Sequence, residues 1–501
     1  MAISVIPQRD ALQVEAPRQL IDGVWSNPQG ASWTHRHPAT NEEVVAWNES
    51  SVADVDRAVR AARRAFDETD WPRLGARQRT PFLRRIFELI MAHQDELNRL
   101  QVLDNGMPIG VSSAYFASAA IGADRFDHYA GWIDKVNGET FPLYTDDRQL
   151  QYMTLLEPVG VVAGIVPWNA PLLQFSGKVA PALAAGCTIV MKPSENAPLA
   201  GARLAELIAE ADLPPGVFNF VLGPGDPVGE ALVTHPLVDK VNFTGSRAVG
   251  EHILAASGKG VKRVSLELGG KSAGLVFEDA DVAAAATTTM AHVSMALSGQ
   301  ICAAQSRAIV PASIYEEFIE HATAQVAQVR FGDPFDPSTT SSPMVTAAQM
   351  EKVLGYVERG QEEGAELLFG GDRPGGDLAG GNWVNPALFA DVDNRTSIAQ
   401  EEIFGPVLSA IRVADEEEAI RVANDSPYGL SGGIYTRDVA RALRVARALR
   451  TGTVGINDYD FFPNAPFGGY KASGLGREGG WSSMEAVLET KTVMVSLDGS
   501  E

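Results

Sequence analysis

The sequence predicts an α/β fold with two doubly wound sheets, and two observations carry that prediction. From residue 159 onward, short apolar runs alternate with stretches of helical periodicity. After Gly269-Gly270 a second series of the same kind continues to about residue 470. This alternation is typical of parallel strands joined by crossover helices. The 501 residues are enough for roughly two to four domains.

The first series predicts one parallel sheet. Its predicted strands are 159–166, 187–192, 217–222, 239–243 and 262–268. The helical stretches between them are 178–186, 198–211, 226–234 and 246–257. Sheets of this type bind ligands beyond the carboxyl ends of their strands, so a site is expected at that edge.

The second series predicts another sheet of the same type. Its candidate strands are 272–277, 307–311, 387–392, 407–413, 432–436 and 453–458. Residues 486–497, near the end of the chain, have the pattern of an exposed β segment that pairs at a sheet edge.

Two helices are predicted ahead of the first sheet. Residues 51–66 have an apolar face, with Ser51 as a candidate N-cap and Asp54 three residues later. A long helix is predicted over 76–103, and it should stop near Asn105-Gly106.

Composition excludes several classes of partner. The net charge of −22 argues against nucleic acid and against anionic membranes, since both require a basic surface. Two cysteines cannot build a disulfide framework or the sulfur half of a structural zinc site, so no metal is expected. The start MAISVIPQRD has neither a basic region nor a long apolar run, which predicts no signal peptide. We expect a cytoplasmic protein.

Glycine-rich turns and one charged loop suggest a nucleotide. GPGDPVG (223–229) and FTGSRAVG (243–250) each follow a predicted strand and open a helix, where backbone N–H groups favour phosphate. Ordinary tight turns explain them equally well. In KPSEN (192–196), Lys192 and Glu195 suit a ribose diol, and a carboxylate there repels a 2′-phosphate. If a dinucleotide binds, NAD is therefore favoured, with NADP as the alternative.

Two polar residues follow strands of the first series. Asn169, in PWN, is either an oxyanion-binding donor or a common turn asparagine. Glu267, in SLELGGKS, ends the fifth strand, where low dielectric should raise the pKa of its carboxyl and suit a general base. A capping glutamate is the simpler interpretation.

Cys302 lies in SGQICAAQSR (298–307). A nucleophilic cysteine needs its thiolate, which nearby backbone N–H groups and partial exposure favour. The small and polar neighbours of Cys302 leave room for a substrate beside the sulfur. The alternative is a small residue that fills space in a core, which would sit inside an apolar periodic run. Cys187 begins a buried strand and is expected to be inert packing.

Taken together, the chain resembles the aldehyde dehydrogenase superfamily from about residue 20 to 495. PWN, KPSE, FTGS, ELGGKS, GQxCxA, EEIFGPV and PFGGYKxSGxGRE occur in the order typical of that family. The resemblance implies an aldehyde dehydrogenase-like fold with a small β oligomerisation element, assembled as a homodimer or homotetramer. The implied units are an NAD-binding domain (1–140 and 158–270), a catalytic domain (271–470) and oligomerisation segments (141–157 and 471–501).

The resemblance also implies a mechanism. Cys302 would attack the aldehyde carbon, and Asn169 with the Cys302 backbone N–H would hold the oxyanion of the thiohemiacetal. Hydride would pass to the nicotinamide and leave a thioester. Glu267 would activate water to hydrolyse that thioester, and Lys178 would belong to the proton path beyond Glu267.

The implied cofactor contacts are spread over several motifs. They are Ile165, Pro167, Trp168, Lys192, Ser194, Glu195, Gly225, Gly229, Phe243, Thr244, Gly245, Ser246, Val249, Leu268, Gly269, Gln349, Lys352, Glu402 and Phe404. Arg247 departs from the commoner GSTEVG pattern of the family. It could strengthen phosphate binding or loosen the preference for NAD, but a solvated arginine is the favoured interpretation.

The resemblance places a substrate pocket around Cys302. Its implied residues are Ala170, Leu173, Gln174, Gly177, Ile301, Ala303, Phe461, Phe462 and Phe467. Ala170 and Gly177 are smaller than in many relatives, which suggests a wide tunnel. The phenylalanines favour a bulky apolar or aromatic aldehyde, whereas Asp458 and Asp460 leave an amino aldehyde open.

Two other functions remain to be weighed. A CoA-acylating semialdehyde dehydrogenase of the same superfamily typically lacks the glutamate found at 267. A non-catalytic structural member usually loses the cysteine or the glutamate, and this sequence keeps both.

Overall fold

The computed structural model describes residues 3–144, 149–460 and 462–497. Its strands are β1 Gln19–Ile21, β2 Val24–Ser26, β3 Ser32–Arg36, β4 Glu43–Asn48, β5 Thr140–Phe141, β6 Leu150–Pro158, β7 Val161–Ile165, β8 Thr188–Lys192, β9 Phe218–Phe220, β10 Lys240–Thr244, β11 Arg263–Glu267, β12 Ala273–Val276, β13 Arg307–Pro311, β14 Glu366–Phe369, β15 Ala387–Ala390, β16 Val407–Val413, β17 Ser431–Tyr435, β18 Thr453–Ile456, β19 Gly474–Leu475 and β20 Leu488–Ser496. Its α-helices are α1 Ile6–Ala11, α2 Val52–Glu68, α3 Ala76–Ala92, α4 Gln94–Asn105, α5 Ile109–Ser112, α6 Ala119–Ala130, α7 Pro171–Ala185, α8 Pro198–Ala209, α9 Glu230–Thr234, α10 Arg247–Ser257, α11 Val282–Ser294, α12 Tyr315–Val326, α13 Ala347–Glu362, α14 Ser397–Gln400, α15 Glu416–Asn424, α16 Val439–Ala448 and α17 Gly480–Glu485. Within these ranges, no helix combines the length and the apolar character needed to cross a bilayer.

The first sheet contains the five strands predicted from the first series. Its order is β19-β11-β10-β7-β8-β9-β1-β2, and the five from β11 to β9 are parallel. Strands β7, β8 and β10 are buried along their whole length. Helices that cover both faces of a parallel sheet produce this burial, which explains the continuous apolar runs in the sequence.

The second sheet contains the six candidate strands of the second series. Its order is β14-β15-β16-β13-β12-β17-β18. All pairs from β15 to β18 are parallel, and β14 joins antiparallel at one edge. The prediction of two doubly wound α/β units is confirmed.

A smaller sheet of three strands, β20-β6-β5, lies apart from both. Strand β20 pairs antiparallel with β6 over the whole of Leu488–Ser496, as the pattern of 486–497 predicts. The segment 471–501 is divided, however. Gly474–Leu475 pairs with the end of β11 in the first sheet, so only its later part joins the three-stranded sheet.

The two helices predicted ahead of the first sheet agree with the structure except at one point, whereas α1, α5 and α6 were not predicted. Ser51 caps α2, its Oγ accepts from the Asp54 N–H at 3.1 Å, and the Asp54 carboxylate accepts from the Ser51 N–H at 2.8 Å. The long helix predicted over 76–103 is instead two helices, α3 and α4, because the backbone of His93 leaves the helical region. Helix α4 ends at Gly106, whose φ of +71° is the left-handed conformation that glycine favours.

Candidate active site

The predicted catalytic residues meet at the carboxyl edge of the first sheet. Asn169 follows β7 and Glu267 ends β11, while Cys302 comes from the loop between α11 and β13. Asn169 Nδ2 donates to the carbonyl of Gln300 at 3.0 Å, two residues before Cys302. Gly270 packs so closely on the Cys302 carbonyl that an added methyl would lie 2.8 Å from it. The structure therefore brings the three side chains into one site.

A sharp turn with a buried glutamine holds the loop that carries Cys302. Ser298 and Gly299 have φ values of +51° and +72°. Gln300 is fully buried, its Nε2 donates to the carbonyls of Leu297 and Pro343 at 2.9 Å each, and its Oε1 accepts from the Val345 N–H at 3.0 Å. All of these bonds lie within the protein, so the loop is fixed before any ligand binds.

Gly299→Ala should destabilise the protein by about 2–4 kcal/mol, because the left-handed backbone strains an L-residue and the added methyl meets a neighbouring chain. That neighbour is the carbonyl oxygen of Gly405, in the loop that also carries Glu402 and Phe404. Urea denaturation followed by circular dichroism measures the change.

Gly355→Ala, in α13, is the matched control. A methyl there meets no described atom within 4 Å, and alanine favours a helix more than glycine does. Equal denaturation midpoints for the two variants would contradict the account of this turn.

The environment of Cys302 disfavours the thiolate. Burial, and then the negative charges of Glu402 and Glu267, raise the pKa of the thiol to about 12. The backbone N–H groups of Cys302 and Ala303 act in the opposite direction, as the sequence suggested, but they are outweighed. In the protein without ligands, the resting group is therefore the thiol.

Alkylation of Cys302 by iodoacetamide should therefore be slow and should rise about tenfold per pH unit from pH 7 to 10. With a pKa of about 12, only about one thiol in 10⁴ is ionised at pH 8, against about one in four at the ordinary value near 8.5. Mass spectrometry of the Cys302 peptide gives the rate. A plateau in that rate near pH 8–9 would contradict the raised pKa.

Glu267 is a buried carboxylate, 4% exposed. Within the described ranges, neither of its oxygens accepts a hydrogen bond. Burial, and then repulsion from Glu478, hold the pKa of Glu267 well above its ordinary value, while Lys178 and Arg477 oppose the shift. The raised pKa expected from the sequence is confirmed.

Lys178 reaches Glu267 through a residue that sequence reasoning missed. Its buried ammonium donates to Thr244 Oγ1 at 2.7 Å and to Glu478 Oε1 at 2.5 Å. Glu478 belongs to the GRE of the last motif, and its backbone pairs with Phe467 at 2.6 and 2.8 Å. The GRE motif was the signal in the sequence that could have identified Glu478. The sequence alone, however, does not show that this segment folds back beside Glu267.

The residues that could bind the cofactor lie along the carboxyl edge of the first sheet, which is called the cofactor edge. This edge begins at the end of β8. Lys192 is buried, and its Nζ donates to the carbonyls of Pro193 and Gly223 at 2.8 Å each. The carboxylate of Glu195, 3.8 Å from that ammonium, is partly exposed. An ammonium beside an accessible carboxylate fits a ribose diol, as predicted.

Helix α10 supplies the next part of this edge. Ser246 is its N-cap residue, and no side chain of the described ranges caps the helix. Val249, in the first turn, is 45% exposed. A helix N-terminus without a side-chain cap suits pyrophosphate, and an exposed apolar side chain beside it suits a flat base. These residues fit an adenine dinucleotide.

Arg247 points along α10 instead of forming a buried site. Its Nε donates to Glu251 Oε1 at 2.7 Å, and the side chain is 41% exposed. This exposed ion pair within one helix agrees with the favoured interpretation of a solvated arginine.

The loop of Glu402 and Phe404 closes the cofactor edge from the second sheet. Glu402 Oε1 accepts from the Gly270 N–H at 3.1 Å, and burial raises the pKa of Glu402 to about 7. Phe404 has a φ of +58°, uncommon for a bulky residue, and its ring meets the edge of Trp168 at 5.5 Å between centroids.

Gln349 and Lys352 support this loop from α13. Gln349 Nε2 donates to the carbonyls of Ile403 and Phe404 at 3.0 and 2.8 Å. Lys352 Nζ donates to the carbonyl of Glu402 at 3.1 Å. The Gln349 amide thus supports the loop through both of these bonds, whereas the exposed Lys352 ammonium uses one of its three N–H donors for this one.

The other predicted cofactor contacts follow the strand ends of the same edge. They are Ile165, Pro167, Ser194, Gly225, Gly229, Phe243, Thr244, Gly245, Leu268 and Gly269. Gly225–Gly229 forms a turn after β9 in which the backbone of Asp226 is extended. Among the described residues, no three His, Cys, Asp or Glu side chains are grouped so that they could hold a metal ion.

The structure describes most, but not all, of the residues that were predicted to line the aldehyde pocket. Ala170, Leu173 and Gln174 are partly exposed at the start of α7, whereas Ala303 is buried. Gly177 is also buried, and a side chain there would point within 3.9 Å of Glu478 Oε2. Its small size therefore leaves space beside Glu478.

The aromatic residues lie after β18. Phe462 is 52% exposed and Phe467 is partly exposed, while Phe461 lies outside the described residues. Asp458 and Asp460 are exposed in the same loop. Ile301 packs against the small apolar cluster of Met107, Ala117 and Leu297.

Comparison with known proteins agrees with this geometry. The sequence profile of the Aldehyde dehydrogenase family matches residues 25–493. The chain belongs to the aldehyde dehydrogenase family. An aldehyde dehydrogenase of Enchytraeus buchholzi is 42% identical to this family member over 493 residues, which is 98% of this chain and 97% of that protein. The mitochondrial benzaldehyde dehydrogenase of Antirrhinum majus is 41% identical over 495 residues, 98% of this chain and 91% of that protein.

Solved structures of other family members have the same fold. Betaine aldehyde dehydrogenase from Staphylococcus aureus in complex with NAD⁺ is 37% identical with a TM-score of 0.95, covering 99% of this chain and 98% of that one. The NAD⁺ complex of an aldehyde dehydrogenase from Bacillus cereus is 38% identical with a TM-score of 0.94, covering 99% and 100%. The family and the fold implied by the seven motifs are confirmed.

Proposed function

We propose that this family member oxidises an aldehyde to its carboxylic acid, with NAD as the oxidant. The observation that carries the proposal is the convergence of Cys302, Asn169 and Glu267 beside the edge that fits a dinucleotide. The two solved relatives described above hold NAD⁺. The carboxylate of Glu195 would repel a 2′-phosphate, which supports NAD over NADP.

Acylation is the part of the reaction that Cys302 and Asn169 perform. The thiol of Cys302 releases its proton to water, the thiolate sulfur attacks the carbonyl carbon, and the carbonyl oxygen becomes an oxyanion that needs donors. Asn169 has two amide hydrogens, of which one is bonded to the Gln300 carbonyl, and the other can serve the oxyanion together with the Cys302 N–H. Bound NAD supplies the acceptor for the hydride that leaves carbon, and a thioester remains on Cys302.

Deacylation is the task of Glu267. A buried carboxyl with a raised pKa accepts a proton from water more readily than an ordinary carboxylate does, so that the water can attack the thioester. The carboxylic acid leaves, and the sulfur of Cys302 is restored. We propose that Glu478 and Lys178 pass the proton onward from Glu267, and their hydrogen bond to each other supports this path.

For the substrate we propose a bulky apolar or aromatic aldehyde. The small side chain of Ala170 and the exposed ring of Phe462 support it. The relative from Antirrhinum majus is named a benzaldehyde dehydrogenase. We also propose that the protein forms oligomers through the three-stranded sheet, where Met494 is exposed. A cytoplasmic location is proposed as well.

A panel of aldehydes tests the substrate class. Benzaldehyde and hexanal should exceed acetaldehyde in kcat/KM by at least about tenfold, because the additional apolar surface that they bury favours the transition state. NADH absorbance gives the rates, with NADP in parallel as a control for the cofactor. Higher kcat/KM for acetaldehyde, for a charged semialdehyde or for betaine aldehyde would contradict this choice.

The same assay separates the other functions. A CoA-acylating enzyme would form acyl-CoA and would depend on CoA for turnover. Glu267 beside Cys302 argues for water as the acceptor of the acyl group. A structural member would produce no NADH with any aldehyde, and that result would overturn the proposed function.

A further inference from the structure

The turn Asp104–Met107, which ends α4, contacts three separate parts of the candidate active site. In the sequence this turn indicates only the end of a helix. Asp104 and Asn105 are both buried, although neither belongs to the catalytic group or to the cofactor edge. A carboxylate and an amide buried outside the reacting groups need a structural or functional reason.

Asp104 caps a helix of the cofactor edge from outside that helix. Its two oxygens accept from the N–H groups of Leu199 at 2.9 Å and Ala200 at 2.8 Å, in the first turn of α8. The N-cap residue of α8 is Ala197, which has no polar side chain to accept these bonds itself. The imidazole of His35 also faces Asp104, with its Nε2 3.6 Å from Asp104 Oδ1.

The position of α8 fixes the loop that contains Lys192 and Glu195. Only the residues Pro193–Ala197 separate the end of β8 from the start of α8. With β8 held inside the sheet and α8 held by Asp104, this short loop has both of its ends fixed. Asp104 therefore acts on the ribose side of the cofactor edge.

Asn105 acts on the opposite side, at the turn that carries Asn169. Its Nδ2 donates to the Trp168 carbonyl at 3.0 Å, and its Oδ1 accepts from the Met107 N–H at 3.0 Å. Trp168 immediately precedes Asn169, whose amide in turn reaches the Gln300 carbonyl. The two asparagines thus connect the end of α4 to the loop of Cys302.

Gly106 and Met107 reinforce this connection by packing. A methyl on Gly106 would lie 2.7 Å from the ring of Pro343, whose carbonyl accepts from Gln300. Met107 is fully buried against Leu297, in the turn before Cys302. Close-packed contacts of this kind transmit small displacements, so the end of α4 has a defined position relative to the nucleophile.

We propose that Asp104 and Asn105 are positioning residues with separate targets: Asp104 fixes the loop of Lys192 and Glu195, and Asn105 fixes the turn of Asn169. The inference rests on the proposed function, because it assigns these targets to cofactor binding and to oxyanion stabilisation. Two adjacent residues of similar size and burial then control two different steps.

The isosteric variants Asp104→Asn and Asn105→Asp test this separation. Asp104→Asn turns one acceptor into an amide that faces a backbone N–H, so Kd for NADH should rise about tenfold with kcat at saturating NAD unchanged. Asn105→Asp places an oxygen against the Trp168 carbonyl, and the displaced oxyanion turn should lower kcat on the order of 100-fold with Kd for NADH unchanged. Fluorescence titration with NADH and steady-state rates give the two quantities.

A reaction without cofactor distinguishes this inference from the proposed function. Hydrolysis of p-nitrophenyl acetate needs Cys302, its oxyanion donors and Glu267 but no cofactor, so Asn105→Asp should lose it and Asp104→Asn should retain it. If the wild type forms no NADH from aldehydes but binds NADH and cleaves the ester, the proposed function fails. The crossed pattern, in which one variant loses NADH binding and the other loses ester cleavage, can still be measured.

The thermal midpoint of each variant is the control for general destabilisation. If either variant fails to fold, Asp104→Glu and Asn105→Gln keep the polar groups, shift them by one methylene, and should give a weaker crossed pattern. Equal losses of NADH binding and of ester cleavage in both variants, or losses that follow the thermal midpoint, would overturn the inference.

Discussion

Cys302→Ala should form no NADH from any aldehyde, with kcat/KM lower by about 10⁴-fold or more, because the thioester of the proposed reaction forms on the Cys302 sulfur. Binding of NADH and the thermal midpoint should change little, since the residue reaches the site surface and is not part of the apolar core. Absorbance of NADH and fluorescence titration measure the two effects separately.

Cys187→Ala is the matched control for that experiment. Cys187 is fully buried, its Sγ donates to the Val487 carbonyl at 3.3 Å, and burial raises the pKa of its thiol to about 11. This variant should lose stability but retain NADH formation. Activity that survives in Cys302→Ala, or that disappears in a folded Cys187→Ala, would remove Cys302 from its proposed role.

Glu267→Gln should release one equivalent of NADH per active site in a rapid burst and then turn over about 10²–10⁴-fold more slowly than the wild type. The amide cannot take a proton from water, so the thioester persists. Loss of the Glu267 charge also removes one of the causes that raise the pKa of Cys302, which favours the thiolate and therefore the burst. Stopped-flow absorbance separates the two phases.

Glu478→Gln is the appropriate comparison for the second phase. It removes the acceptor of the Lys178 bond but leaves the base itself, so turnover should fall less than in Glu267→Gln. A Glu267→Gln protein with no burst, or with the steady rate of the wild type, would contradict the assignment of Glu267 to hydrolysis.

The sequence predicted the sheets well because buried parallel strands are continuous apolar runs that need no other information. Asn169, Lys192 and Glu267 could be placed together because each directly follows or ends such a strand. The break between α3 and α4 was missed, since His93 stands in a run without glycine or proline.

Interactions between distant parts of the chain were beyond sequence reasoning. The pKa of Cys302 depends on Glu402, which reaches the site from a different loop of the second sheet. Glu478 meets Lys178 only because the chain returns through β19 to the first sheet. The use of Gln349 as a support for the loop of Phe404 likewise depends on how α13 packs.

The intact mass of Glu267→Gln, quenched in acid after reaction with NAD and the best aldehyde of the panel, tests the central claim most directly. The account predicts one acyl group per chain, on the peptide that contains Cys302, and none when NAD is omitted. An unmodified protein after a measured burst of NADH, or an acyl group on another residue, would contradict it.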